Sequence, residues 1–460
     1  MSVPDRIVDK QPSDILALMT RSRDDAIRRI EFFLSRPDMR GATRRLGFYN
    51  SWPWEVFGEL GFLDSNSGDY SFADIDSDFY EPLRTIMHST IRGDIPIASL
   101  SISHFMIDGH LAMNIARHPT LQDLTFRGCT TSIDLRALIL SGTFQQLPPS
   151  NSRTLRVYVL DSEDIHVAWC ALAICRNPRV FSITYPRYYN DIVAPHPEVE
   201  HMLISAFARV QRLHLTHVPH SLIGLADWLT TVHAAGHQLR LTHLKLESTF
   251  AMDGTVLLAV LAVVNLANSP LRVLALDGTD LPSLDLFDHL ASMLPNLEGL
   301  TIIARGPRQT RRSSCVWPHC TYEYAAKLAL FPRLRMFGAN FEIDLFEFAP
   351  IGLPQFQIEE FGSDTLERWW EEKDRGYMDD TETSVVRPFA AMCPTLETFV
   401  LTGVIPYICS ISRIFGRLVL TPDSPHLGLS GAFASAWNPV AGIGGDSWAP
   451  PSSPPPTSEY

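Results

Sequence analysis

Residues able to do chemistry are plentiful in this chain and poorly arranged for it. It carries 16 His, 7 Cys and 51 Asp plus Glu. Catalysis needs such groups at spacings that converge on one point, as when two His four apart on a helix share a zinc ion or a Gly-rich turn opens a helix on a phosphate. No HExxH, GxSxG, Walker-type GK[ST] or CxxC occurs. The run GIGGDS (442–447) has the glycines of a phosphate loop but no helix after it, so it lacks the N–H groups that would hold the anion. Cys315, His319 and Cys320 lie close together without a second pair at zinc-ligand spacing. The odd number of Cys points to reduced thiols rather than a disulfide framework. The expectation is a non-enzyme with no catalytic, cofactor-binding or metal residue.

One group of side chains remains, a basic one. Arg212 and His214 in VQRLHL, and His243 and Lys245 in LTHLKL, occupy the gaps of a recurrent pattern. The pattern, apolar-x-x-apolar-x-apolar, begins at Ile97, Leu121, Leu155, Val180, Val210, Leu241, Leu271, Leu297, Leu334 and Leu396. From Ile97 to Leu334 successive starts are 24 to 37 residues apart, which is at and beyond the long end of a leucine-rich period. A helix follows most copies. Asp253 and Ser283 are placed to cap two of them and Ser221 a third; Asn268, Pro270, Pro295 and Gly236 stand where helices should stop. A strand and helix of this size cannot bury their own apolar face, so neighbours must stack. The fold class expected is α/β, an open arc of parallel strands with outer helices. A closed (β/α)₈ barrel of enzyme type alternates likewise. Its strands are covered on both faces and read as continuous apolar runs, whereas the gaps here hold Gln, Asp, Arg, His, Thr and Lys.

The copies CPTLETFVL and HPTLQDLTFRGC, with their long period, resemble the repeat region of F-box and leucine-rich-repeat proteins, especially fungal ones. The resemblance covers about 95–420 and implies a leucine-rich-repeat solenoid of about ten irregular repeats. Eight residues after the first anchor, where such repeats favour Asn or Cys, stand Cys129, Thr249 and Thr279, but Glu163, Tyr188, Val218, Arg305 and Glu342 elsewhere. Residues 51–64, SWPWEVFGELGFLD, resemble the opening of an F-box, with Pro53, Glu55, Val56, Phe57 and Leu60 in register. The resemblance implies that these dock a cullin-ligase adaptor. The Val-Cys/Ser-Lys/Arg-x-Trp element of that family is missing, and Gly58 and Gly61 weaken the helix. Two roles are open for 1–94, a degenerate F-box and a helical cap over the first repeat. Within it, residues 14–35 read as an amphipathic helix with Asp24/Arg28 and Asp25/Arg29 pairs.

In a solenoid the gap residues face solvent on the strand side, so Arg212, His214, His243 and Lys245 should form a basic island able to hold an acidic or phosphorylated partner segment. Thr216 and Glu247 should lie beside it, and Ser99, Ser101, Ser103, Val273, Ala275, Gly338, Asn340, Thr398, Val400 and Thr402 should surround it on the same face. The formal charge of −13 opposes general nucleic-acid binding. The longest apolar run, Val256–Leu266, is too short to cross a bilayer and reads as a buried helix. No signal-peptide pattern opens the chain, which favours a cytoplasmic or nuclear protein. RGPRQTRR (305–312) fits a nuclear import run or a solvated loop, and the acidic stretch 359–383, with Trp369 and Trp370, interrupts the repeat period. Residues 430–460, rich in Pro, Gly and Ser, are expected to be disordered. The function expected is protein recognition through the repeat surface, as substrate receptor of an SCF-type ubiquitin ligase or as a scaffold or regulator with no ligase link.

Overall fold

The computed structural model describes residues 12–49, 77–92, 95–148, 150–160, 165–185, 194–218, 222–305, 315–341, 379–401 and 407–423. They belong to two compact units. The first comprises Met1–Tyr189, Ala194–Gln211 and Ala234–His237, the second Asn190–Val193, Arg212–His233 and Gln238–Tyr460.

The first unit opens with α1 (Pro12–Leu34), α2 (Pro37–Ala42), β1 (Arg45–Tyr49) and α3 (Ser77–Arg92). It continues with β2 (Ser99–Ser103), β3 (Met106–Ile107), α4 (Gly109–Arg117), β4 (Asp123–Arg127), β5 (Thr130–Thr131), α5 (Ile133–Leu140) and α6 (Thr143–Gln146). Then come β6 (Thr154–Tyr158), α7 (Ile165–Ile174), β7 (Val180–Thr184) and α8 (Pro197–Phe207). Strands β1, β2, β4, β6 and β7 pair in parallel, in chain order, and β3 pairs with β5. β1 corrects the expectation of an all-helical segment before residue 95. Its RLGFY carries only two inward apolar residues, Leu46 and Phe48, set in register with Leu100 and Ile102.

The second unit runs through β8 (Arg212–Val218), α9 (Ile223–Ala234), β9 (His243–Met252), α10 (Gly254–Leu266), β10 (Val273–Thr279), α11 (Leu284–Met293) and β11 (Gly299–Ala304). It ends with α12 (Thr321–Leu328), β12 (Met336–Ala339), α13 (Asp379–Met392), β13 (Thr398–Leu401), β14 (Tyr407–Ile414) and β15 (Arg417–Asp423). β8 to β13 are parallel neighbours in order; β14 and β15 then reverse into an antiparallel hairpin, which the repeat pattern did not foreshadow. Phe415 and Gly416 turn that hairpin, both at positive φ. Within this unit the strand order is linear, with no pairing of β15 to β8 among the described residues, so it does not form the closed ring of a barrel. Each unit is thus α/β with a mostly parallel sheet.

Two devices repeat along both units. The carbonyl of the residue just before a strand accepts two N–H groups from the start of the next strand. Arg44 receives Ala98 and Ser99, Ala98 receives Gln122 and Asp123, Gln122 receives Arg153 and Thr154, and Arg153 receives Arg179 and Val180. Thr242, Arg272, Glu298 and Arg335 do the same in the second unit, at 2.7–3.0 Å. Beside it, a hydroxyl donates to the first-anchor carbonyl of the preceding copy. The pairs are Thr120 to Ile97 (2.9 Å), Ser152 to Leu121 (3.4 Å), Ser269 to Leu241 (2.8 Å) and Thr395 to Leu334 (2.6 Å).

These ladders correct the register of two copies. Leu155 and Phe181 align with Leu124, the second apolar position, so the copies expected at Leu155 and Val180 begin at Ser152 and Pro178. The pattern misses them because Ser152 and Pro178 stand in place of the usual Leu, Ile or Val anchor; Ser152 fills the position with a hydrogen bond.

Helix ends obey local chemistry. Asp108, Ser132, Asp253 and Ser283 accept from N–H groups of α4, α5, α10 and α11, and the expected caps at Asp253 and Ser283 are among them. Ser221 lies outside the described residues. Gly236 and Asn268 take the positive φ of helix stops. Inward strand residues such as Leu124, Phe126, Leu155 and Phe181 pack under the helices of the first unit, where Trp169 makes ring contacts with both Phe181 and Phe207. In the second unit Phe287, Trp317, Tyr324, Phe337, Phe389 and Phe399 form an aromatic core. α10, the longest apolar run, buries Leu257, Val260, Leu261 and Val264 and exposes Leu266.

Candidate recognition faces

Opposite the helix-covered face, strand residues of the first unit line up in three rungs. Register places Arg45, Ser99, Asp123, Thr154 and Val180 on the first. Gly47, Ser101, Thr125, Arg156 and Ser182 form the second, and Tyr49, Ser103, Arg127, Tyr158 and Thr184 the third. Of these fifteen, Ser103 alone is buried; the others are half-buried or exposed. Alternation here means what the sequence implied, one face to the core and one to water. Three Arg and one Asp give this face a positive balance on a chain of net charge −13. The sequence reading misses Arg156 and Tyr158 because it places β6 out of register, and Tyr49 because it contains no β1; Arg127 lies in a copy whose register is right and is not singled out there.

The second unit departs from the expectation. The rungs do bring the four basic candidates together, since Arg212 pairs with His243 and His214 with Lys245 across β8 and β9. They do not form a solvent-facing island. Arg212, His214 and Lys245 keep 6%, 7% and 2% of their surface, and His243 is half-buried. Val273, Ala275, Thr398 and Val400 are buried on the same face. A gap position is guaranteed only to point away from the helices; here that second side is also covered, and Met336, Val400 and Ile408 form an apolar cluster on it.

Charges inside a covered layer must be balanced, and most are. Lys245 Nζ lies 3.6 Å from Glu247, His214 Nε2 4.0 Å from the same carboxylate, and His214 Nε2 3.0 Å from the Thr216 hydroxyl. Arg305 donates to Asp277 at 2.7 Å, both nearly fully enclosed. Burial holds the Arg212 guanidinium down to about 10. Burial, then the charges of Arg212 and Arg272, push His243 down to about 3, so it is neutral at pH 7. This layer is therefore internal structure, with Lys245, His214 and Arg305 already engaged.

Asn340 shows what the missing Asn ladder does. Glu342, eight residues after Leu334, lies outside the described residues. Asn340, fully buried, accepts from the Ala304 N–H (2.8 Å) and donates to its carbonyl (2.7 Å). Cys129 donates to the Ile102 carbonyl (3.3 Å) and Thr279 to that of Ile303 (3.4 Å). The role of tying one strand to its neighbour survives under three residue types.

Cys315 is buried, whereas Cys320 sits at the start of α12, its thiol 2.8 Å and its N–H 3.1 Å from the Glu323 carboxylate. Burial drives the Cys170 and Cys175 thiols up to about 12, which removes them as nucleophiles at neutral pH. No group of three or more His, Cys, Asp or Glu placed to hold a metal occurs among the described residues, and none of their helices is long and apolar enough to cross a membrane. The adaptor-docking candidates Pro53, Glu55, Val56, Phe57 and Leu60 lie outside the described residues, as do 306–312, Trp369, Trp370 and 430–460. No protein-family model matches the chain, and no curated protein matches its sequence.

Proposed function

We propose that the chain is a non-enzymatic recognition protein, a leucine-rich-repeat solenoid that holds a protein partner against the strand face of its first unit. The observation that carries this reading is the accessible, three-rung face of β1, β2, β4, β6 and β7. It offers Arg45, Arg127, Arg156, Tyr49 and Tyr158, the residue types that dominate binding energy at interfaces, among small Ser and Thr side chains that admit close approach. The excess of Arg fits an acidic or phosphorylated partner segment. The partner surface thus moves from the covered β8–β9 layer to the first unit.

The test is affinity capture of partners by the full chain beside an Arg127→Glu/Arg156→Glu variant, both checked by circular dichroism. Partners that bind through this face should weaken by about tenfold or more and should do so more at low salt, where charge steering is unscreened. An identical partner set from both chains removes this face from the reading.

A finer proposal is that residues 51–64 dock the adaptor of a cullin ligase, which makes the repeats a substrate receptor. Its support is the F-box resemblance of those residues. Pro53, Val56 and Phe57 changed together to Ala should abolish capture by the adaptor. Absence of capture by the unaltered chain leaves a recognition scaffold with no ligase link.

A further inference from the structure

A cavity of about 340 Å³ lies inside the first unit between α1, β1 and α3. Its walls are apolar, built from Ile30, Phe33, Leu46, Phe48, Leu83 and Phe105. Thr90 adds a hydroxyl that is already committed to the Ile86 carbonyl at 2.7 Å. The volume is at the lower end of the range of about 300–1,000 Å³ for small-molecule sites. One described lining group is charged at neutral pH, Arg29, and it is exposed at the rim with Tyr49.

Arg29 is where sequence and structure part company. At helical spacing Asp25 should hold it; instead Asp25 takes Arg28, and Asp24 takes Arg23. Arg29 is left with no hydrogen bond or ion pair among the described residues. A guanidinium at the edge of an apolar hollow, with no carboxylate of its own among the described residues, complements an apolar body that carries a single negative group.

We propose that this cavity binds a small amphipathic anion, with its chain or ring held by the six apolar walls and its carboxylate or sulfonate on Arg29. The site shares Gly47 and Tyr49 with the strand face but neither Arg127 nor Arg156, so the two readings are tested by different substitutions. The experiment titrates the full-length chain with 1-anilinonaphthalene-8-sulfonate, followed by fluorescence, and then displaces the dye with decanoate. Saturable one-site binding that decanoate reverses is expected. Arg29→Gln, an exposed change that leaves the fold intact, should weaken both ligands by about tenfold, as loss of one charge-assisted hydrogen bond implies. Ala26→Trp, which fills the cavity from α1, should abolish binding while circular dichroism and partner capture stay unchanged. Dye binding that does not saturate, or that survives Ala26→Trp, overturns the proposal. So does concentration-dependent dimerisation that Ala26→Trp removes, since the hollow would then be filled by a second copy.

Discussion

Asp277 and Arg305 form the most exacting contact among the described residues, a 2.7 Å ion pair with each side chain about 95% enclosed. Water cannot take the place of a lost partner there. Asp277→Asn should therefore cost about 3–5 kcal/mol in urea unfolding, because the charge of Arg305 stays inside. Asp277→Leu combined with Arg305→Met should cost far less. Equal losses in the two variants would mean that the pair supplies net attraction beyond charge balance. None of this was legible in the sequence. Arg305 stands at the head of RGPRQTRR, which reads as an import run or a solvated loop, and nothing local singles out Asp277. Their meeting depends on register between β10 and β11 and on a covered second face, neither of which a local pattern contains. Asn340 reads in the sequence as a solvent-facing strand residue; it is instead fully buried and bonded to the Ala304 main chain, two residues before the position that favours Asn in such repeats.

Elements were far more readable than contacts. Inward Leu, Ile and Phe at fixed spacing, with caps at Asp253 and Ser283, set out the strand and helix order of most of the second unit. The failures have specific causes. β1 has a Gly at its centre and no Leu triplet; the copies that contain β6 and β7 begin on Ser152 and Pro178 rather than on Leu, Ile or Val; the β14–β15 hairpin follows a period of 2, which a repeat of about 30 residues does not contain. Gly278 marks a further local rule. It sits at φ +103° where β10 slips register between Asp277 and Thr279, and a Cβ there would come within 2.7 Å of the Ser248 carbonyl. The DGT sequence reads as an ordinary turn, yet only glycine fits this bulge.

For the molecule at large, three buried or half-buried histidines among the described residues contribute to the response to acid. Burial lowers the pKa of His104 and of His118, with the charge of Arg127 adding to the effect on His104, and His243 is held at about 3. The unfolded chain, with His near 6.5, binds more protons than the folded one below that pH. These residues thus contribute stability that is fully present above about pH 6.5 and is lost as pH falls towards about 3. The urea midpoint should drop between pH 7.5 and pH 5, and His243→Gln should flatten the drop by on the order of 1 kcal/mol. A midpoint that ignores pH over this range, or a variant that tracks the parent, would show that these rings are not kept neutral by the fold.

The doubled carbonyl at the start of each strand has another consequence. It is made eight times by Arg, Ala, Gln, Thr and Glu alike, and always from the main chain. The residues that hold the strands in step are thus free of any demand on their side chains, and selection acts there on charge or contact alone. Two descendants of such a chain could replace nearly every letter between the anchors and still superimpose, so that kinship would outlast any likeness of spelling.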